Sequence, residues 1–178
     1  MSFSVEFLIV EKGQISSIRM KNYIDKLGNL FYGGKCMISI DKQKIIERWF
    51  NEFFTRGKLD VLEELTTADF IYHSRNGDNT KEKMKEFMKW YRNVFQDDEW
   101  IIDDLIEQDN KLVVRYTGWM TYKGGWFNIP SENQRVKETG IMIFTFEDRN
   151  IKELWCENSD AAILFELGAL EKNTHKIF

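Results

Sequence analysis

Proline occurs once in 178 residues, cysteine twice and histidine twice. Cys36 and Cys156 have no neighbour at metal-ligand spacing, and His73 and His175 are too isolated to complete a set, so no metal is expected. Both thiols are expected to be reduced, as in a cytoplasmic protein. Long hydrophobic runs are also missing. Phe7-Leu8-Ile9-Val10 lies between glutamates and is too short for a signal peptide or a bilayer span, which predicts a soluble protein with no membrane partner. Nowhere do lysines and arginines cluster with aromatics, and the net charge is -4 with acids and bases interspersed, which argues against nucleic acid as a partner. A glycine-rich phosphate loop is absent too, so no organic cofactor is implied.

Apolar and aromatic residues are plentiful, at 43% and 15%, including 6 Trp and 14 Phe. That is enough to fold one ordinary domain and to line a pocket besides. Ile45, Ile46, Trp49, Phe50, Phe53 and Phe54 recur at three- and four-residue spacing and predict an amphipathic helix over Asp41 to Thr55, ended by Gly57. A shorter helix is expected around Leu59 to Leu65, a brief strand at Phe70 to His73, and a loop from Ser74 to Asn79. A second strong stripe, from Met84 to Phe95, predicts a helix over Lys81 to Phe95 capped by Asn79 or Thr80. From Trp100 the period changes to two, giving strands at Trp100 to Gln108, Lys111 to Tyr122, Arg135 to Phe146 and Ile151 to Asn158. Helices followed by strands predict an α+β domain: a curved antiparallel sheet wrapped around N-terminal helices, forming a cone. Pro130 lies in the Lys123 to Asn133 connection, a natural rim for a pocket.

Four strings in this order resemble the SnoaL-like polyketide (ester) cyclase family of the nuclear transport factor 2-like superfamily. They are IERWFNEFFTRGKLDVLEELTTADFIYHS, KMKEFMKWYRNVFQD, GGWFNIPSENQRVKETGIMIFTFEDRNIKELW and AAILFELGAL, and the likeness spans Ile40 to Leu170. It implies a cone cavity holding a small, largely apolar or carbonyl-containing molecule, with proton transfer, cyclisation or isomerisation as the chemistry. The alternative is a non-catalytic ligand-binding or dimerisation module with a vestigial pocket, since one fold hosts many functions.

The resemblance also implies site residues. Family cyclases use an acid near the end of the last strand as a base, and a carboxylate desolvated among apolar walls is suited to that task. Aligning Leu167-Gly168 with the family's closing pattern puts the usual aspartate at Ser159, one residue before Asp160. Asp160 is therefore a candidate base, or the N-cap of a helix over Ala161 to Leu167, the commoner role for aspartate there. Glu157 is the second candidate. It shares strand parity with Trp155 and is expected opposite Gly140, Met142 and Phe144, unless it lies at a solvated strand end. His73 stands where the family often carries a pocket histidine. Tyr122 replaces a common histidine, and Met142 occupies a position expected to be polar. Trp119, Trp126, Phe127, Phe144 and Trp155, with Met120, are further candidates for the ligand wall, each equally able to fill core. Cys156, alternating with Trp155, is expected on the opposite face as a small hydrophobe.

On that opposite face Ile141, Ile143, Leu154 and Cys156 predict an apolar strip, through which a homodimer is expected. The domain should occupy residues 37-172, followed by a tail at 173-178. Residues 1-36 form an extension outside the resemblance. There VEKGQISSIRMKNYIDKLGNLFYGG parallels FEDRNIKELWCENSDAAILFELGAL, with Ile15 and Ile18 against Ile151 and Leu154, and Asp25 against Asp160. This predicts a hairpin left from a related domain, or a chance likeness.

Overall fold

The structure is a computed structural model that describes residues 6–11, 14–19, 39–75 and 77–170. The chain divides into two units, one ending at Met37 and one beginning at Ile38. In the first, β1 (Glu6–Glu11) pairs antiparallel with β2 (Gln14–Arg19), and Glu11 faces Gln14 across the turn. Asp25, expected to match Asp160, and the C-terminal tail lie outside the described residues.

The second unit begins with α1 (Ile40–Arg48), capped by Ser39, whose Oγ accepts from the Lys42 amide at 3.3 Å. The helix continues as a π-helical segment, Trp49–Thr55, where the Thr55 hydroxyl donates to the Phe50 carbonyl. The wider turn brings Trp49, Phe50, Phe53 and Phe54 onto a narrower arc than an α-helix would, and all four are buried. After α2 (Val61–Leu65) come β3 (Thr66–Ser74) and a short β4 (Gly77–Asn79), so part of the expected Ser74 to Asn79 loop pairs as sheet. α3 (Lys81–Val94) is capped by Thr80. Its apolar stripe packs Met84, Met88, Tyr91 and Val94 into the core.

Four long strands complete the domain: β5 (Phe95–Gln108), β6 (Lys111–Tyr122), β7 (Arg135–Glu147) and β8 (Asn150–Asn158), followed by α4 (Asp160–Glu166). They form an open, curved six-stranded sheet in the order β4-β3-β8-β7-β6-β5. Every neighbouring pair is antiparallel except β3 and β8, which run parallel. The helices cover one face, and Leu112, Val114, Phe144 and Leu154 meet them from the strands. Among the described residues no helix is long and apolar enough to cross a membrane.

One detail of β8 decides which side chains enter the core. Phe146 pairs with Ile151 but Thr145 pairs with Glu153, leaving Lys152 as an extra, unpaired residue. Without that bulge Gly140 would face Glu157 and Met142 would face Trp155, the register expected from sequence. With it, Ile141 faces Glu157, Met142 faces Cys156 and Ile143 faces Trp155. A shift of one residue exchanges the two faces of a strand. Leu154 and Cys156 therefore turn inward, and Trp155 joins Ile141 and Ile143 on the open face, which corrects the composition expected for the apolar strip.

Candidate functional site

Between α3 and the inner face of the sheet lies a cavity of about 290 Å³. Met84, Phe87, Trp90 and Tyr91 of α3 form one wall, joined by Phe95, Trp100 and Trp126. The sheet contributes Tyr116 from β6, Glu138 and Met142 from β7, and Leu154 and Cys156 from β8. The exposed lining residues Arg75, Lys83 and Glu157 mark its rim.

Glu138 is the one buried acid among the described lining residues. Along β7 the residues Val136, Glu138, Met142, Phe144 and Phe146 share the inward parity, so a carboxylate sits in an otherwise apolar row and is only 7% exposed. The Tyr116 hydroxyl donates to Glu138 Oε1 at 2.8 Å, and Asn158 bonds it as well. Burial outweighs both and raises its pKa to about 7. Burial likewise raises the phenols of Tyr116 and Tyr72, which stay protonated donors. Cys156 Sγ lies 3.8 Å from the Tyr116 hydroxyl, and burial pushes its thiol up to about 12, so no thiolate nucleophile is present at neutral pH.

Gly140 makes the Tyr116 to Glu138 bond possible. A Cβ there would stand 2.6 Å from Tyr116 Cζ and 2.7 Å from the Glu157 carbonyl oxygen, so only glycine leaves the phenol its place. Gly118 does the same for Trp100, whose ring carbon would lie 2.6 Å from an added Cβ.

The expected acids divide between positions. Asp160 lines the cavity as the first residue of α4, its Oδ2 2.5 Å from Arg75 Nη1, and burial raises its pKa against the lowering effect of Arg75. It is not the cap: Ser159 holds that position, and its Oγ accepts from the Thr139 amide at 2.9 Å, tying α4 to β7. Glu157 is at the rim, on the open-face parity set by the bulge.

His73 does not line the cavity. Tyr72 and Ser74 on either side of it do, which by alternation turns His73 to the open face. There its ring stacks on Trp155 at 3.9 Å between centroids and 17° between planes, with Nδ1 2.6 Å from Asp78 Oδ1.

Of the residues expected to form the ligand wall, Trp126 and Met142 line the cavity. Tyr122 is fully buried and serves the neighbouring loop, donating to the Trp126 and Ile129 carbonyls. Phe144 is core, packed edge-on against Trp49. Met120 is core too, its sulfur accepting from the Tyr91 hydroxyl at 3.4 Å. Trp119 pairs with Lys137 on the open face, with the ammonium 5.6 Å from its ring. Phe127 is 70% and Trp155 52% exposed. Sequence reasoning missed Glu138, Tyr116, Tyr72 and Arg75. For Glu138 the signal was present, as a lone charge on the apolar parity of its strand.

Comparison with known proteins places this arrangement. Residues 44–167 match the family model described as SnoaL-like polyketide cyclase. Among solved structures, TsrD from Streptomyces laurentii is 21% identical, with a TM-score of 0.67 over 76% of this chain and 100% of its own. A protein from Acidithiobacillus ferrooxidans is 18% identical, with a TM-score of 0.68 over 76% of this chain and 100% of its own. A SnoaL-like polyketide cyclase from Agrobacterium tumefaciens is 17% identical, with a TM-score of 0.58 over 71% of this chain and 97% of its own. At these identities the likeness is one of fold. No curated protein sequence matches the chain. The family model, which covers most of the chain, and the shared fold together establish that the chain belongs to the SnoaL-like polyketide cyclase family.

Proposed function

We propose that the domain binds a small, largely apolar carbonyl compound in its cavity and moves a proton on it, with Glu138 as the base. The observation that supports this reading is a carboxylate buried among aromatic rings, with a pKa raised to about 7. Such a group is partly ionised at neutral pH and poorly solvated, which suits it to take a proton from the carbon beside a carbonyl. The C–H electron pair passes into the enolate, and the proton stays on Glu138 until it is returned at another carbon or lost to water. Tyr116 holds the carboxylate in place, and Tyr72 offers a protonated hydroxyl in the same cavity. An isomerisation or a ring closure both begin with this step. Exchange of α-protons of 2-acetylnaphthalene in deuterated buffer, followed by NMR, tests it. The whole chain should accelerate exchange and Glu138→Gln should lose about a hundredfold or more of that acceleration. Binding without any exchange would favour the non-catalytic module.

A second observation favours homodimer contact through the open face. His73, Trp155, Ile143, Val113 and Ile106 are successive cross-strand partners, forming one aromatic and apolar row over five strands. Trp155 and Ile106 in that row are 52% and 59% exposed. Light scattering at micromolar concentration should give twice the chain mass, and Trp155→Glu should return it to one.

A further inference from the structure

We infer that the compound this cavity takes carries a protonated amine on its apolar body. The charges on the lining carry the argument. Asp160 and Arg75 neutralise each other at 2.5 Å, and Lys83 is paired with Glu86 at 2.9 Å. Glu138 and Glu157 remain, and among the described residues no cation is paired with either. The carboxylates of Asp160, paired with Arg75, and of Asp98, paired with Arg92 at 2.6 Å, add to burial in raising the pKa of Glu138. An ammonium brought in by a ligand would be the first cation beside it.

The walls point the same way. Phe87, Trp90, Tyr91, Trp100, Tyr116 and Trp126 surround the space, and the faces of such rings attract cations. An anionic ligand would meet two uncompensated carboxylates instead. The ammonium would form a charge-assisted hydrogen bond to Glu138 and hold it ionised. This inference rests on the reading that the cavity takes a small molecule, and is independent of turnover.

Calorimetric titration of the whole chain at pH 7.5 with three compounds of one shape tests it: 2-naphthylmethylamine, 2-naphthylmethanol and 2-naphthoate. The amine should bind about tenfold tighter than the alcohol, and the carboxylate more weakly than either. In Glu138→Gln the amine should bind no tighter than the alcohol. The wild-type chain supplies a check that needs no variant. At pH 6.5 amine binding should release a proton from Glu138, seen as a dependence of the heat on the buffer's ionisation enthalpy, and alcohol binding should not. An alcohol as tight as the amine, a carboxylate tighter than both, a preference that survives Glu138→Gln, or amine binding without proton release would each overturn the inference and leave the cavity reading intact. If none of the three compounds binds, the cavity reading falls and the inference with it.

Discussion

At the scale of single residues, Glu138 links the cavity to stability. Its pKa is about 7 folded against 4.5 for an ordinary glutamate, so between those values the folded chain holds a proton that the unfolded chain has lost. The stabilisation is full below pH 4.5 and disappears as pH rises through 7, the reverse of a salt-bridged carboxylate. Glu138→Gln removes this dependence. The variant should match the parent near pH 4.5 and exceed it at pH 8 by on the order of 3 kcal/mol. Urea unfolding of both proteins at the two pH values measures the difference. Gly140 gives a second prediction. Gly140→Ala forces the added methyl against the Tyr116 ring and the Glu157 carbonyl and should cost about 1–3 kcal/mol. Adding Tyr116→Phe removes the hydroxyl nearest that methyl, so the double variant should recover part of the loss, a coupling that a double-mutant cycle reads directly.

At the scale of elements, most of the domain could be read from period and punctuation. The stripe from Trp49 to Phe54 and that from Met84 to Val94 became helices, Thr80 became a cap, and the strands β6, β7 and β8 begin and end within a residue of expectation. Which way their side chains point could not be read with equal ease, because it turns on one unpaired residue. Lys152 has no compositional mark of a bulge, and without it the alternation assigns Trp155 and Glu157 to the core. Glu138 went unnoticed for a different reason: no motif surrounds it, and only the parity of β7 sets it apart. The bulge predicts that its extra residue can be altered or removed without changing which side chains enter the core. Lys152→Ala loses only solvent-screened ion pairs to Asp69 and Glu147 and should leave the midpoint of thermal unfolding almost unchanged. Deleting Lys152 removes the unpaired residue and leaves Leu154 facing Phe144 and Cys156 facing Met142, so cooperative thermal unfolding followed by circular dichroism should persist.

At the scale of the whole molecule, the boundary at Ile38 separates a hairpin from a domain with its own core. A chain of residues 38–178 should therefore unfold in one transition within a few degrees of the full-length protein, by calorimetry. In the hairpin Glu11 faces Gln14, and in the domain Glu147 faces Asn150. Strand order adds a constraint on how the domain is made. β8 lies between β3 and β7, although it is the last of the described strands. During synthesis from the N-terminus, β3 with β4 and the β5-β6-β7 meander stay two separate pieces, each with an open edge, until residues 150–158 have emerged. The nascent chain thus carries the open edge of β3 from the time residue 74 emerges until residue 158 follows, and the strand that closes it is also the one that brings Cys156 to the cavity wall.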